Sequence, residues 1–101
     1  MSGKSDALQV LREHLPLPLP YTPPRNETET KLAHIWCTVL SMDCIGVFDS
    51  YQDLGGDSFL ATVIFGMIEA AFGVNMPMAI LVNSPTIAAL ATKVTQFKEG
   101  G

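Results

Sequence analysis

Apolar residues recur at helical spacing in three stretches of this chain, and no stretch shows a convincing strand pattern. The first stretch follows Asn26, and its apolar positions are Leu32, Ile35, Trp36, Val39 and Leu40. Spacings of three and four residues place such side chains on one face of an α-helix. The pattern therefore predicts a first helix with Asn26 as N-cap and Glu29 as its capping-box partner, ending near residue 40 or 41.

The second and third stretches predict two further main helices. A helix from Ser58 to Phe72 would end at Gly73, and its core stripe would be Ala61, Ile64, Phe65, Ile68 and Phe72. A short helix is expected over residues 78–82. A last helix, capped by Ser84 with Pro85 at its first position, would bury Ile87, Leu90, Ala91 and Val94.

These elements predict an all-α fold, a small four-helix bundle of three main helices and one short helix. A long loop over residues 42–56 separates the first two helices. Loops of this length in small domains are usually functional or held by their own side chains. The expected anchors of this loop are Ile45, Val47, Phe48, Tyr51 and Leu54.

The two ends of the chain lack the apolar pattern of the helical region. Alternating prolines in residues 15–20 exclude a helix there, so residues 1–25 are predicted to be a flexible leader and proline-rich linker. Residues 26–97 form the predicted domain. Residues 98–101 are predicted to be a disordered tail.

Composition narrows the function classes. A chain of 101 residues is one domain at most, and its net charge of −4 with only 6 scattered basic residues argues against nucleic acid. Cys37 and Cys44 form neither a CxxC pair nor a His-rich cluster, so no metal site is expected. Unpaired thiols, no secretory signal and no membrane-length apolar run favour a cytoplasmic protein that is monomeric when excised.

The segment from Asp53 to Ser58 carries the candidate chemistry. Leu54 precedes two adjacent glycines, Gly55 and Gly56, which allow a sharp turn because neither has a Cβ. Asp57 is then a suitable N-cap for the second helix, which puts Ser58 at the first helical position. A hydroxyl on the rim of such a turn is accessible to another protein. No neighbouring residue in the sequence could activate it, so the serine is expected to be acted upon.

Residues 48–61, together with the order of the predicted elements over residues 21–97, resemble the peptidyl carrier (thiolation) domains of nonribosomal peptide synthetases. The resemblance implies that Ser58 carries a 4′-phosphopantetheine arm, transferred from coenzyme A by a phosphopantetheinyl transferase. The arm's thiol would hold an aminoacyl or peptidyl thioester for antibiotic or secondary-metabolite synthesis, and the domain itself would be non-catalytic. Implied partners are adenylation and condensation domains, with an epimerisation or thioesterase domain also possible.

Three other interpretations of the serine motif remain. A hydrolase is disfavoured because Leu60 replaces the second glycine of G-x-S-x-G, and both histidines, His14 and His34, precede Ser58. A polyketide or fatty-acid acyl carrier would use the same arm. Fatty-acid-type carriers usually have an acidic second helix, whereas Glu69 is the only charged residue between Ser58 and Lys93. An unmodified helical interaction domain is the third alternative.

A second apolar stripe lies on the predicted second helix, rotated away from the core stripe. It consists of Leu60, Val63 and Met67 and begins beside Phe59, close to the serine. One helix of a small bundle buries only one stripe, and exposed apolar stripes usually mark interaction sites. These four residues are therefore predicted to form a partner-binding surface.

Overall fold

The structure is a computed structural model, and it describes residues 10–100. Four α-helices follow one another in this part of the chain: α1 (Glu27–Leu40), α2 (Ser58–Phe72), α3 (Ile80–Asn83) and α4 (Ile87–Gly100). A 3-10 turn at Arg12–His14 precedes them, and the described residues contain one isolated bridge, between Val10 and Met42. The predicted all-α architecture of three main helices and one short helix is confirmed.

The beginning of α1 combines a helix cap with a buried ion pair. The Glu29 N–H donates to Asn26 Oδ1 at 2.9 Å, so the predicted N-cap is present. The Glu29 carboxylate does not return this bond to Asn26, as a capping box would. It accepts instead from the backbone N–H of Arg25 at 2.9 Å and from the Arg25 guanidinium at 3.1 and 2.6 Å. The hydrogen bond from the Arg25 side chain is the main reason that the pKa of the buried Glu29 is lowered.

One hydrophobic core joins the three main helices, with α1 packing against both α2 and α4. Residues from all three predicted faces are buried there, namely Leu32, Ile35, Trp36, Ala61, Ile64, Phe65, Ile68, Ile87, Leu90, Ala91 and Val94. Only the ends of two stripes are half-buried, at Val39, Leu40 and Phe72. Helical periodicity therefore located the core correctly.

The loop between α1 and α2 is held by its own apolar side chains. Four of the five predicted anchors are buried, namely Ile45, Val47, Tyr51 and Leu54. The prediction for Phe48 is wrong, because its side chain is 41% exposed and its ring packs under the Arg25 guanidinium at 4.9 Å. Its neighbours Val47 and Asp49 both lie inside the loop, so the residue between them projects to the surface.

The predicted cap of the last helix is also wrong. Ser84 is buried and ends α3, where its N–H donates to the Ile80 carbonyl at 2.9 Å. The N-cap of α4 is Thr86, whose Oγ1 accepts from the Ala89 N–H at 3.1 Å. Serine and threonine both cap helices well, and tertiary contacts decide between candidates two residues apart. Pro85 precedes the cap, and its carbonyl accepts from the Tyr51 N–H at 2.8 Å.

The two ends of the described chain differ from the predictions for them. Residues 98–100 continue α4 instead of forming a disordered tail, and residue 101 lies outside the described residues. Residues 1–9 of the predicted flexible leader also lie outside them. Residues 10–25 lie against the bundle, where Leu15 and Leu17 pack on the core. The domain boundary at residue 26 stays a prediction.

Neither cysteine of the described chain is bonded to another. Cys37 and Cys44 are free and half-buried, and burial raises the pKa of the Cys37 thiol to about 11. A thiol with so high a pKa is protonated near neutrality and a poor nucleophile. Within residues 10–100, His, Cys, Asp and Glu side chains form no group of three that could hold a metal ion. None of the helices in that range has the length and hydrophobicity to cross a membrane.

Candidate functional site

Ser58 is the first residue of α2 and lies on the surface at the end of a hydrogen-bonded turn. In this turn the N–H of Leu54 donates to the Ser50 carbonyl at 3.1 Å, and the N–H of Gly55 donates to Gln52 at 3.0 Å. Leu54 is buried and anchors the turn to the core. The serine therefore stands on a short, well-bonded segment of backbone.

The two adjacent glycines of the motif are required for different reasons. Gly55 has a φ of 84°, a left-handed conformation that glycine adopts without strain. Gly56 has no such φ, but a Cβ placed on it would overlap the ring of Tyr51. The first glycine thus permits the turn, and the second allows the backbone to lie directly against an aromatic ring.

Tyr51 connects this turn to the rest of the bundle. Its hydroxyl donates to the carbonyl oxygen of Asp57 at 2.7 Å, and its ring meets Trp36 edge to face with centroids 5.5 Å apart. Burial, followed by the nearby Asp57 carboxylate, raises the pKa of Tyr51. The phenol therefore stays protonated and can donate throughout the physiological pH range.

Asp57 fixes the start of α2 with its side chain and its backbone together. Its Oδ1 accepts from the Leu60 N–H at 2.9 Å, which is the predicted cap. Its carbonyl oxygen accepts from the Ala61 N–H at 3.0 Å and from the Tyr51 hydroxyl. The residue immediately before Ser58 is thus held by three hydrogen bonds.

The Ser58 hydroxyl has no activating partner. Across residues 10–100, no hydrogen bond joins it to a histidine or a carboxylate, and the nearest bonds of this helix turn involve the Ser58 carbonyl and the Asp57 side chain. His34 is exposed on α1, and His14 lies in the 3-10 turn. A serine nucleophile needs an adjacent base, so this arrangement does not support hydrolysis by the chain itself.

We call residues 50–58 the serine turn. An open groove of about 430 Å³ runs beside Ser58, between this turn and α3. Its walls include Tyr51 and Gly56 on one side and Met78, Val82 and Pro85 on the other. Met78 and Val82 were not predicted at this site, because nothing in the pattern of a four-residue helix indicates which neighbour it faces. The groove gives an extended group on Ser58 room to leave the surface without any rearrangement.

The four residues predicted to bind partners do not form one uniform stripe. Phe59 is 74% exposed and Val63 is 38% exposed, whereas Leu60 and Met67 are half-buried and Met67 packs against the core. Two further apolar side chains, Met78 and Val82, are exposed near the same end of α2.

A hydrogen bond from Thr62 Oγ1 to Met78 Sδ, at 3.2 Å, places the segment before α3 beside the exposed side of α2. We call Phe59, Val63, Met78 and Val82 the apolar rim of the site.

Comparisons with known proteins agree with this geometry. The phosphopantetheine attachment site family matches residues 30–94, more than half of the chain. The chain belongs to this family. Its cofactor is covalently bound 4′-phosphopantetheine, and the domain is a carrier domain of the type found in nonribosomal peptide synthetases.

Tyrocidine synthase 3 of Brevibacillus parabrevis is 44% identical to this carrier domain over 80 residues, which are 79% of this chain and 1% of that protein. The chain thus spans about one hundredth of the length of that relative.

Among solved structures, a chain in the complex of the phosphopantetheine transferase Sfp with coenzyme A and a peptidyl carrier protein is similar. Its TM-score is 0.73 and its identity 36%, covering 75% of this chain and 99% of that one. The McyG A-PCP structure complexed with phenylalanyl-adenylate has a TM-score of 0.68 and 25% identity, covering 92% of this carrier domain and 13% of that chain.

Replacing Gly56 with alanine should destabilise the domain, because the new Cβ would overlap the Tyr51 ring and force the serine turn away from Trp36. We expect the free energy of unfolding to fall by roughly 1–3 kcal/mol, the range for overpacking. Urea denaturation followed by Trp36 fluorescence measures it. Gly66→Ala is the matched control: Gly66 has open space around it in α2 and should be neutral or stabilising. Equal stability of the Gly56 variant and the wild type would contradict the proposed contact.

Asp57→Ala removes the side-chain cap of α2 and should lower the free energy of unfolding by about 1 kcal/mol. Asp57→Asn keeps an oxygen that can accept from the Leu60 N–H and should retain most of the stability. Chemical denaturation of the three proteins provides the comparison. An unchanged midpoint for Asp57→Ala would mean that the cap adds nothing to stability.

Proposed function

We propose that the Ser58 hydroxyl is the attachment point of the 4′-phosphopantetheine arm, and that the chain acts as a peptidyl carrier without catalytic groups of its own. The observation that carries this proposal is the position of Ser58: exposed, at the first residue of α2, on a turn held by Tyr51 and Asp57. A hydroxyl held in this way can enter another enzyme's active site without local unfolding.

In the proposed modification the Ser58 oxygen attacks the phosphorus of coenzyme A that bears the pantetheine group. The phosphoanhydride bond breaks, adenosine 3′,5′-bisphosphate leaves, and a phosphodiester joins the arm to the serine. The hydroxyl proton must pass to a base on the transferase, because the described chain offers none next to Ser58. This division of labour fits a substrate protein.

Once loaded, the arm's terminal thiol would hold an aminoacyl or peptidyl group as a thioester. Tethering raises the local concentration of this cargo at successive partner sites, which is what a carrier contributes to synthesis. We propose adenylation and condensation domains as partners, and epimerisation or thioesterase domains where the assembly contains them. The similarity to a chain solved with a transferase and to an A-PCP protein supports the encounters with a transferase and with an adenylation domain.

The apolar rim is the proposed surface for these encounters. Phe59 and Val63 lie on the first turns of α2, Met78 and Val82 line the groove beside Ser58, and the first turn of α2 contains no acidic residue. A partner would therefore be recognised mainly by apolar contact, since interface centres are depleted of charge. Phe59 is the proposed principal anchor because it exposes the largest side chain next to the attachment point. Leu60 and Met67 would support this surface from below.

The assignment of Ser58 is tested by incubating the chain with coenzyme A and a promiscuous phosphopantetheinyl transferase and measuring the intact mass. The wild type should gain one phosphopantetheine, and Ser58→Ala should gain none. Ser50→Ala is the matched control, since Ser50 lines the same groove and should not affect loading. Addition of the arm to the Ser58→Ala variant would show that the attachment point lies elsewhere.

Val63→Glu tests the apolar rim. Val63 is exposed, so the charge should leave circular dichroism and the melting temperature nearly unchanged, while loading and transfer to a cognate domain fall severalfold. Gln96→Glu adds the same charge on the exposed face of α4 and should have no effect. Met67→Glu should instead destabilise the fold, because Met67 packs on the core. Wild-type transfer by Val63→Glu would exclude this surface.

A further inference from the structure

The segment before the bundle is bound to the loop between α1 and α2 at both of its ends. At one end the Val10 N–H donates to the Ser41 carbonyl at 2.7 Å, and the Asp43 N–H donates to the Val10 carbonyl at 3.2 Å. At the other end the Val47 N–H donates to the Thr22 carbonyl at 2.9 Å. Residues 10–22 are therefore attached to the same loop that leads to the serine turn.

A bidentate ion pair lies between these two attachment points. Arg12 Nε and Nη2 donate to the two carboxylate oxygens of Asp49, each at 2.7 Å. Asp49 is only 3% exposed, and its Oδ2 also accepts from the Gly46 N–H at 2.8 Å. A buried carboxylate is strongly unfavourable without a cation. The cation that balances Asp49 comes from a residue 37 positions earlier in the chain.

Arg12 also organises the segment that contains it. Its backbone N–H donates to Asp43 Oδ1 at 2.8 Å, and its Nη2 donates to the Leu19 carbonyl at 3.0 Å. The guanidinium lies over the Tyr21 ring, 5.4 Å from the centroid. One side chain thus holds both halves of a proline-rich stretch that cannot stabilise itself as a helix.

Apart from these contacts, the segment adds little to the core. Leu19 and Tyr21 are more than 40% exposed, and Leu15 and Leu17 are only partly buried. Regions with few buried apolar contacts open locally at a lower free energy than the core. The bundle of α1, α2 and α4 has its own buried residues, so it can stay folded when the segment detaches.

We propose that residues 10–22 form a releasable clasp, locked by Arg12 and Asp49, that decides where the preceding polypeptide leaves the carrier. When the clasp is closed, the preceding polypeptide leaves the carrier beside the α1–α2 loop. When the clasp opens, it frees 13 residues that span on the order of 40 Å when extended. This inference rests on the proposed function, because a carrier delivers its arm to several partners and the length of its tether limits which ones it reaches.

The test is amide hydrogen exchange on the 101-residue chain, comparing the wild type with Arg12→Gln. We expect the amides of Val10, Asp43 and Val47 to exchange at least about tenfold faster in the variant, since tenfold corresponds to about 1.4 kcal/mol. The core amides of Trp36, Ile64 and Leu90 should be unaffected.

Lys31→Gln is the matched charge control, because Lys31 pairs with the exposed Glu27 at 3.5 Å and lies over the Phe72 ring at 5.8 Å, away from the clasp, so the change should leave every clasp amide unchanged. The double variant Arg12→Gln/Asp49→Asn has no unpaired buried carboxylate, yet its clasp amides should still exchange faster than in the wild type, because the contacts of Arg12 to Asp49 and to the Leu19 carbonyl are lost. A return to wild-type exchange in the double variant would overturn the proposal, because the effect of Arg12→Gln would then come only from the unpaired Asp49 carboxylate. Unchanged exchange at Val10 and Asp43 in Arg12→Gln would overturn the proposal. Uniformly faster exchange, core included, would overturn it too, because the segment would then be part of the global fold.

Opening of the clasp should lengthen the distance from the bundle to the N-terminal amine. Energy transfer from Trp36, the single tryptophan, to an acceptor on that amine measures this distance. Arg12→Gln should lower the transfer efficiency, and an unchanged efficiency would contradict release. Loading at Ser58 should stay at the wild-type rate in this variant, because Arg12 makes no contact with the serine turn. A chain that is never loaded would refute the carrier function, while the exchange result would still report on the clasp.

Discussion

The position of the candidate serine depends on the packing of one aromatic ring. Tyr51 lies between Trp36 of α1 and the backbone of Gly56, and its hydroxyl holds the Asp57 carbonyl. Its own N–H donates to Pro85, just before α4. A single residue of the long loop therefore connects the serine turn to two of the main helices. Aromatic packing and a hydrogen bond thus act together on the backbone next to Ser58.

Different residues stabilise the domain and present the candidate hydroxyl. The buried faces of α1, α2 and α4 supply the hydrophobic stabilisation, whereas Ser58 is exposed at the start of α2. The groove beside the serine is open and is lined by apolar residues of the α3 region together with polar residues of the turn, such as Gln52 and Asp57. A site of this kind can bear a covalent group and display it, and among the described residues no histidine or carboxylate is bonded to the Ser58 hydroxyl. These properties fit a domain whose substrate is processed by other proteins.

Two buried carboxylates are each paired with an arginine, as a buried charge requires. Glu29 at the start of α1 and Asp49 in the loop are both nearly inaccessible, and each receives two guanidinium nitrogens. Both arginines, Arg25 and Arg12, precede the first main helix. The cations that balance these two carboxylates therefore come from residues before α1. The burial of Asp49 in the loop thus depends on the position of the segment that contains Arg12.

The sequence by itself determined the presence of the three main helices, the faces they bury and the motif around Ser58. Helical periodicity, the Asn26 and Asp57 caps and the Gly73 terminator are local signals, and local signals can be read from spacing. The family resemblance was also carried by contiguous residues. For these reasons the ends of α2 agreed with the prediction to the residue.

Only the tertiary structure decided which partners meet across the chain. The pairing of Arg12 with Asp49 and the packing of the outward Phe48 against Arg25 join residues distant in sequence. The choice of Thr86 over Ser84 as cap and the contact that excludes a side chain at Gly56 involve nearer residues, but they depend on how the loop and the helices pack. The second stripe of α2 divided into exposed and half-buried positions for the same reason. A periodic pattern gives the direction of a side chain on its helix, whereas the neighbouring element that covers it is set by the packing of the whole domain.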